Sequence, residues 1–209
     1  VSVALAAQAG GGVYLSSQGG LSKTYRRIGQ QGQDIRDLSI QYDGPRAFLW
    51  AGTAATGPDD PGKGCFRWEL LGAEDPPEGW RAFSQGWTGG SVRALTFLGS
   101  AALAATHRAG VLRLDSSAAN PSWVAPAVNC GLPLRDRGRF HPVTTVAADP
   151  AAGLAMAGGP QGVYSTRDEG TSYVSASHRE FLEKVTLPET WLLVSGEHEI
   201  SVVSEDEAD

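Results

Sequence analysis

One apolar spacing, i, i+3, i+5, recurs along the chain and limits its possible folds more than any other feature. It occurs at Ile35, Leu38 and Ile40, at Val92, Leu95 and Phe97, at Val143, Val146 and Ala148, and at Leu182, Val185 and Leu187. A run of small or apolar residues follows each time: Phe48 to Gly52, Ala101 to Ala105, Gly153 to Ala157 and Trp191 to Ser195. A short β-prone segment comes next, at Cys65 to Arg67, Gly110 to Leu112, Gly162 to Tyr164 and Glu199 to Ser201. A fourth segment opens on an aromatic, Trp80, Trp123 or Tyr173. Near the N-terminus, Val3 to Ala7, Gly12 to Tyr14 and Tyr25 to Ile28 supply the last three members of such a set. The separation of the first and third members is nearly constant, and its one exception is an inserted loop, Thr53 to Gly64.

Four short strands repeating at a period of about 50 residues predict an all-β chain, a β-propeller of four-stranded antiparallel blades, because one such sheet cannot bury both faces alone. The whole chain, 1–209, reads as a single propeller domain with a partial blade at 1–29, blades at 34–85, 91–127 and 142–177, a closing blade at 182–204 and an acidic tail at 205–209. This covers about four and a half blades. The first set lacks its first strand and the last lacks its fourth, so the predicted ring is incomplete at its N-terminal side, to be closed by missing blades or a second chain. Its 27 glycines and 12 prolines suit a turn-rich fold. The helix signal is Ser177 to Lys184, where Ser177 and Glu180 have capping-box spacing.

The turn from Thr166 to Tyr173 joins a third strand to a fourth. Its pattern, Thr166-x-Asp168-x-Gly170-x-Ser172-Tyr173, resembles the Asp box of the BNR repeat in sialidase-like β-propellers. The resemblance implies folding roles: Asp168 bonds backbone N–H groups, Gly170 takes the left-handed position and Tyr173 plugs between sheets. Sialidases also use a Tyr/Glu nucleophile pair, an Asp acid/base and three arginines, the first in an Arg-Ile-Pro motif. Here Arg27-Ile28-Gly29 lacks the proline and follows a degenerate box, so no catalytic residue carries over. The resemblance therefore implies the non-enzymatic branch, a binding or scaffold module with a protein or glycan partner. The alternative is a sialidase-like glycoside hydrolase or lyase with part of its active site in missing N-terminal blades.

The formal charge of −6 leaves no cationic surplus to neutralise phosphates, which argues against nucleic-acid partners. No apolar run approaches the roughly 20 residues of a membrane span. Gly57 to Gly64 imitates a phosphate-binding loop, but Gly64 replaces the magnesium-binding hydroxyl and a strand follows where a helix is needed. Cys65 and Cys130 read as free buried thiols, and His107, His141, His178 and His198 show no metal-ligand spacing. The expectation is no metal and no cofactor. The chain begins at Val1 without a visible signal peptide, and because its natural N-terminus is expected to be missing, the compartment stays open, with a cytoplasmic one slightly favoured.

A ligand site is expected at the mouth of the propeller channel. Arg36 and Arg93 stand at equivalent positions, one residue after the first anchor of their repeats. Asp37, His107, Arg108, His141 and Lys63 of the inserted loop complete the polar set. In a purely structural role, Arg36 and Arg93 would pair with Asp34, Asp37 or Asp136 and brace the channel.

Overall fold

In the computed structural model, residues 3–7, 10–57, 59–71, 79–135, 139–176, 191–195 and 200–204 are described. The chain divides into two compact units, Val1–Ser175 and Ala176–Asp209. Every regular element among the described residues is a β-strand. Among the described residues no helix is long and apolar enough to cross a membrane.

The first unit holds four antiparallel sheets in chain order. The first comprises β1 (Val3–Ala7), β2 (Gly12–Ser16) and β3 (Arg26–Gly29), and the second β4 (Ile35–Asp43), β5 (Arg46–Thr53), β6 (Cys65–Leu71) and β7 (Arg81–Phe83). The third comprises β8 (Val92–Leu98), β9 (Ala101–Thr106) and β10 (Val111–Asp115), and the fourth β11 (Thr145–Asp149), β12 (Leu154–Gly159), β13 (Gly162–Thr166) and β14 (Val174–Ser175). Each is a meander in which consecutive strands pair. In the second unit β15 (Trp191–Ser195) pairs with β16 (Ile200–Ser204).

Three cores join the four sheets face to face. Val13 and Leu15 of the first sheet pack on Leu49, Ala51 and Trp68 of the second. The other face of the second sheet, with Phe48, Trp50 and Phe83, meets Leu95, Ala102, Ala104 and Leu112 of the third. The third then turns Leu103, Ala105 and Val111 toward Val146, Ala155, Ala157 and Tyr173 of the fourth. Strand β9 is buried along its whole length, and its alanines let the flanking sheets approach closely from both sides. The polar end of the second core is internally paired: Trp50 Nε1–H donates to Gln41 Oε1 at 2.9 Å, and Gln41 Nε2 donates to Gly99 O and Ser116 Oγ.

The i, i+3, i+5 spacing has a local cause. Between Ile35 and Asp37, and again between Val92 and Ala94, the register shifts, so Arg36 and Arg93 are the extra residues of two β-bulges. A bulge adds one residue to the strand's period of two, so residues i and i+3 share a face. Val92, Leu95 and Phe97 accordingly lie in one core. At the third repeat, Thr144 N–H bonds Gly158 O while Thr145 pairs with the same glycine.

Some expectations need correction. The fourth strands begin one residue after the aromatic, at Arg81 and Val174. In the third sheet the fourth strand reduces to a single bridge, Arg113 to Val124, because Pro126 has no N–H with which to extend the ladder. Ile40, the last member of its apolar triplet, is 45% exposed, and its neighbour on that face, Tyr42, is 69% exposed. The first sheet has three strands. The expected helix at Ser177 to Lys184 and the anchors Leu182, Val185 and Leu187 lie outside the described residues.

Candidate functional site

The turns that follow β5 and β9 are closed alike. Thr53 donates both its N–H and its hydroxyl to Gly64 O, and Thr106 donates both to Gly110 O. The second turn is tight, whereas the first carries the inserted loop. Asp60 organises that loop: hydrogen bonds from the Thr56 hydroxyl, the Thr56 N–H and the Gly62 N–H hold its carboxyl down at about 2. The loop then leans on the entry to β8, where Gly90 N–H bonds Pro61 O and Ala55 N–H bonds Ser91 Oγ.

His107 continues this polar path. Its Nδ1 accepts the Ser91 N–H at 2.9 Å, which fixes that nitrogen as the unprotonated one. Burial lowers the imidazole's affinity for a proton, and the nearby charges of Arg93 and Arg108 lower it further. A Cβ at Gly90 would collide with the His107 ring and the Arg108 side chain, so these three residues sit together. Arg93 is exposed and takes part in no ion pair among the described residues.

Asp37 is buried more deeply. Its Oδ2 accepts the Ser39 hydroxyl at 2.7 Å and, from the next sheet, the Leu95 N–H at 3.1 Å. Burial nevertheless pushes its carboxyl up, against both hydrogen bonds. It therefore joins the first strands of the second and third sheets.

Of the remaining expected residues, Arg36 is exposed and bonds Asp34 Oδ2 at 2.8 Å. Lys63 Nζ donates to Gln33 Oε1 at 3.0 Å. His141 is half-buried, and its backbone N–H bonds Pro133 O. The structure thus brings His107, Arg93 and Arg108 together beside the inserted loop. No hydrogen bond or ion pair among the described residues joins Arg36 to Arg93. Asp136, the third possible partner for bracing, lies outside the described residues. Among the described residues no group of His, Cys, Asp and Glu could hold a metal ion, and Cys65 and Cys130 are free and buried.

No family model matches the chain, and no curated protein matches it. Among solved structures, it is similar to a crystal structure of the computationally designed Ika8 protein, at 14% identity with a TM-score of 0.46. The match covers 79% of this chain and 43% of that one, so this chain spans less than half the length of its structural neighbour.

The turn from Thr166 to Tyr173 is cross-braced. Asp168 Oδ1 accepts the Ser172 N–H at 2.9 Å and the Thr166 hydroxyl at 2.7 Å, and Oδ2 accepts the Ser172 hydroxyl at 2.6 Å. Partial burial alone would raise this acid. The hydrogen bonds from Ser172 and Thr166 outweigh it and hold the carboxyl at about 2. Gly170 has φ +86° and Tyr173 is buried.

Sequence reasoning missed two features. The bulges were present in the i to i+3 step, which an unbroken strand cannot place on one face. A group of three arginines on the second sheet, Arg46, Arg67 and Arg81, had no linear pattern to mark it.

Proposed function

We propose that the four sheets of residues 3–175 are successive blades of a β-propeller related to the BNR/Asp-box repeat, and that the chain is a non-catalytic binding module. Its partner, a protein or a glycan, engages the rim formed by the bulged starts of β4 and β8 and the turns after β5 and β9. The observation that carries this reading is the repeated construction of that rim. Two equivalent bulges each present an exposed arginine, and both neighbouring turns are closed by the same threonine device. Bulges re-aim side chains and recur at functional edges. A guanidinium held this way is suited to a carboxylate or sulfate.

The test is the double variant Arg36→Gln/Arg93→Gln, probed on an acidic glycan array and in a pull-down from cell extract. Loss of the partner with unchanged melting supports rim binding. Unchanged partners with a lowered melting point would assign the arginines to bracing.

A glycoside hydrolase or lyase is the second reading. One observation favours it: Asp37 is a carboxyl whose affinity for protons is raised, as a general acid requires. Turnover of aryl glycosides that disappears in Asp37→Asn would replace the first reading with this one.

A further inference from the structure

The second sheet carries three arginines on the face that packs against the third. In register, Phe48 faces Glu69, Trp50 faces Arg67, and Arg67 faces Arg81 on the outer strand β7. Arg46 is held by Glu69 through two hydrogen bonds of 2.9 Å. Arg67 has no such partner among the described residues. Its guanidinium lies 4.4 Å from the Phe48 ring centre and 4.6 Å from that of Phe83, and Arg81 lies 5.3 Å from Phe83. Glu69 and Asp43 act on Arg67 from beyond ion-pair distance, and burial with the neighbouring charges of Arg81 and Arg46 destabilises its cation. Stacking on aromatic faces offsets part of that cost.

Beside Arg81 opens a cavity of about 180 Å³, lined also by Phe83, Ser84, Gln85 and Asn120. Its lining is mostly polar, and Arg81, Ser84, Gln85 and Asn120 all carry hydrogen-bond donors. Pockets for drug-sized ligands begin at roughly 300 Å³, so this one suits a single side chain or a small ion. A stacked guanidinium presents its N–H edge in one plane, the geometry that a carboxylate meets with two parallel bonds.

We propose that this outer edge is a second binding site, in which Arg81, supported by the charge of Arg67, takes the carboxylate of an Asp or Glu side chain from an acidic peptide segment of a partner protein. The site is separate from the rim: Arg81 opens the edge strand β7, whereas Arg36 and Arg93 stand in the first strands of their sheets.

The experiment measures binding of a fluorescent hexaglutamate peptide by anisotropy at low ionic strength. Arg81→Gln weakens binding about tenfold or more, as loss of a charge-assisted pair should. Arg81→Lys, which keeps the charge and removes the planar fork, recovers only part of it. Arg36→Gln/Arg93→Gln is measured beside it: a loss there that Arg81→Gln does not show places the peptide at the rim, so failure at the edge and failure at the rim are told apart. Arg81 is exposed, and equal melting points of wild type and Arg81→Gln confirm that the fold is intact. Three outcomes overturn the proposal: equal affinity for hexaglutamate in wild type and Arg81→Gln; inorganic phosphate or a sulfated disaccharide competing as well as free glutamate; and binding that appears only after Glu74, Asp75 and Glu78 of the adjoining β6–β7 connection are neutralised.

Discussion

Trp123 and Tyr173 occupy the same place in successive sheets, yet only one of them has its polar end paired. Each follows the third strand of its sheet and is seated by a dipeptide of the link ahead of that sheet. Trp123 N–H bonds Gln85 O at 2.9 Å, and Tyr173 N–H bonds Cys130 O at 2.6 Å. In both cases a glycine follows the acceptor, Gly86 or Gly131, and the aromatic's carbonyl lies where a Cβ would stand. Both rings are buried, 3% and 5% exposed. The difference is at the tip. Trp123 Nε1–H donates to Phe83 O at 2.9 Å, as Trp80 Nε1–H does to Ile28 O at 2.8 Å, whereas the buried Tyr173 hydroxyl has no described partner. The backbone cradle therefore fixes the aromatic's position, and the polar tip is an optional addition.

The largest effect should come from emptying the better-satisfied seat. Trp123→Ala removes a ring that packs edge-on to Trp87 at 5.1 Å and leaves Phe83 O unpaired. It should cost about 3–5 kcal/mol, a large share of the roughly 5–15 kcal/mol that holds a domain folded. Chemical denaturation measures this directly. A cost below about 2 kcal/mol would mean that the sheets close over the gap and the seat matters little.

The cradles themselves should behave alike, whatever the tip does. Gly86 has φ +72° and Gly131 φ +97°, and an added Cβ at either would strike the backbone of the seated aromatic, Trp123 or Tyr173. Gly86→Ala and Gly131→Ala should each cost on the order of 1–3 kcal/mol. A several-fold difference between their losses would break the equivalence drawn above.

Much of this was legible in the sequence because strand pattern and turn chemistry are local. The starts of β4 and β8 at Ile35 and Val92, the buried run Ala101–Thr106 and the turn before Tyr173 follow from residues close together in the chain. The cradles were not legible, since Gln85-Gly86 and Cys130-Gly131 act on aromatics 38 and 43 positions later. Nor was the segment from Cys130 to Phe140, which adds Leu132 and Phe140 to the third core and makes its own bridge between Leu134 and Phe140. At the site, the equivalence of Arg36 and Arg93 could be read from the repeat. The bond from Ser91 to His107, the pairing of Asp37 with Leu95 and the stacking of Arg67 depend on packing between sheets.

The turns ahead of the two aromatics also differ. Asp168 ties residues 166 and 172 together, directly before Tyr173, whereas the Asp115 carboxylate bonds Ser117 and leaves the approach to Trp123 to the Arg113–Val124 bridge. Asp168→Ala should cost on the order of 1–2 kcal/mol and Asp115→Ala less. Because the Asp168 carboxyl is held below its unfolded value, its contribution is present above about pH 4 and is lost as pH falls through about 2. The gap between wild type and Asp168→Ala in a series of melts should therefore shrink on acidification. A gap that stays constant down to pH 2 would assign the loss to packing.

The smallest effect is expected where the two seats differ most plainly. Tyr173→Phe removes the hydroxyl alone and keeps the ring, the cradle and the N–H bond to Cys130 O. Burial raises the phenol's hold on its proton, so the group is neutral in the folded chain and no charge is lost. A buried hydroxyl without a partner carries a desolvation cost of about 1–3 kcal/mol, and its deletion should leave stability unchanged or raise it. Among the described residues, Arg113 Nε, near enough for its charge to act on the phenol, is the other buried side-chain polar atom without a partner. If Tyr173→Phe instead loses more than about 1 kcal/mol, the hydroxyl is engaged. The double variant Tyr173→Phe/Arg113→Lys then decides where: a loss equal to that of Arg113→Lys alone would place the partner at Arg113 and make the two aromatic seats equivalent at their tips as well.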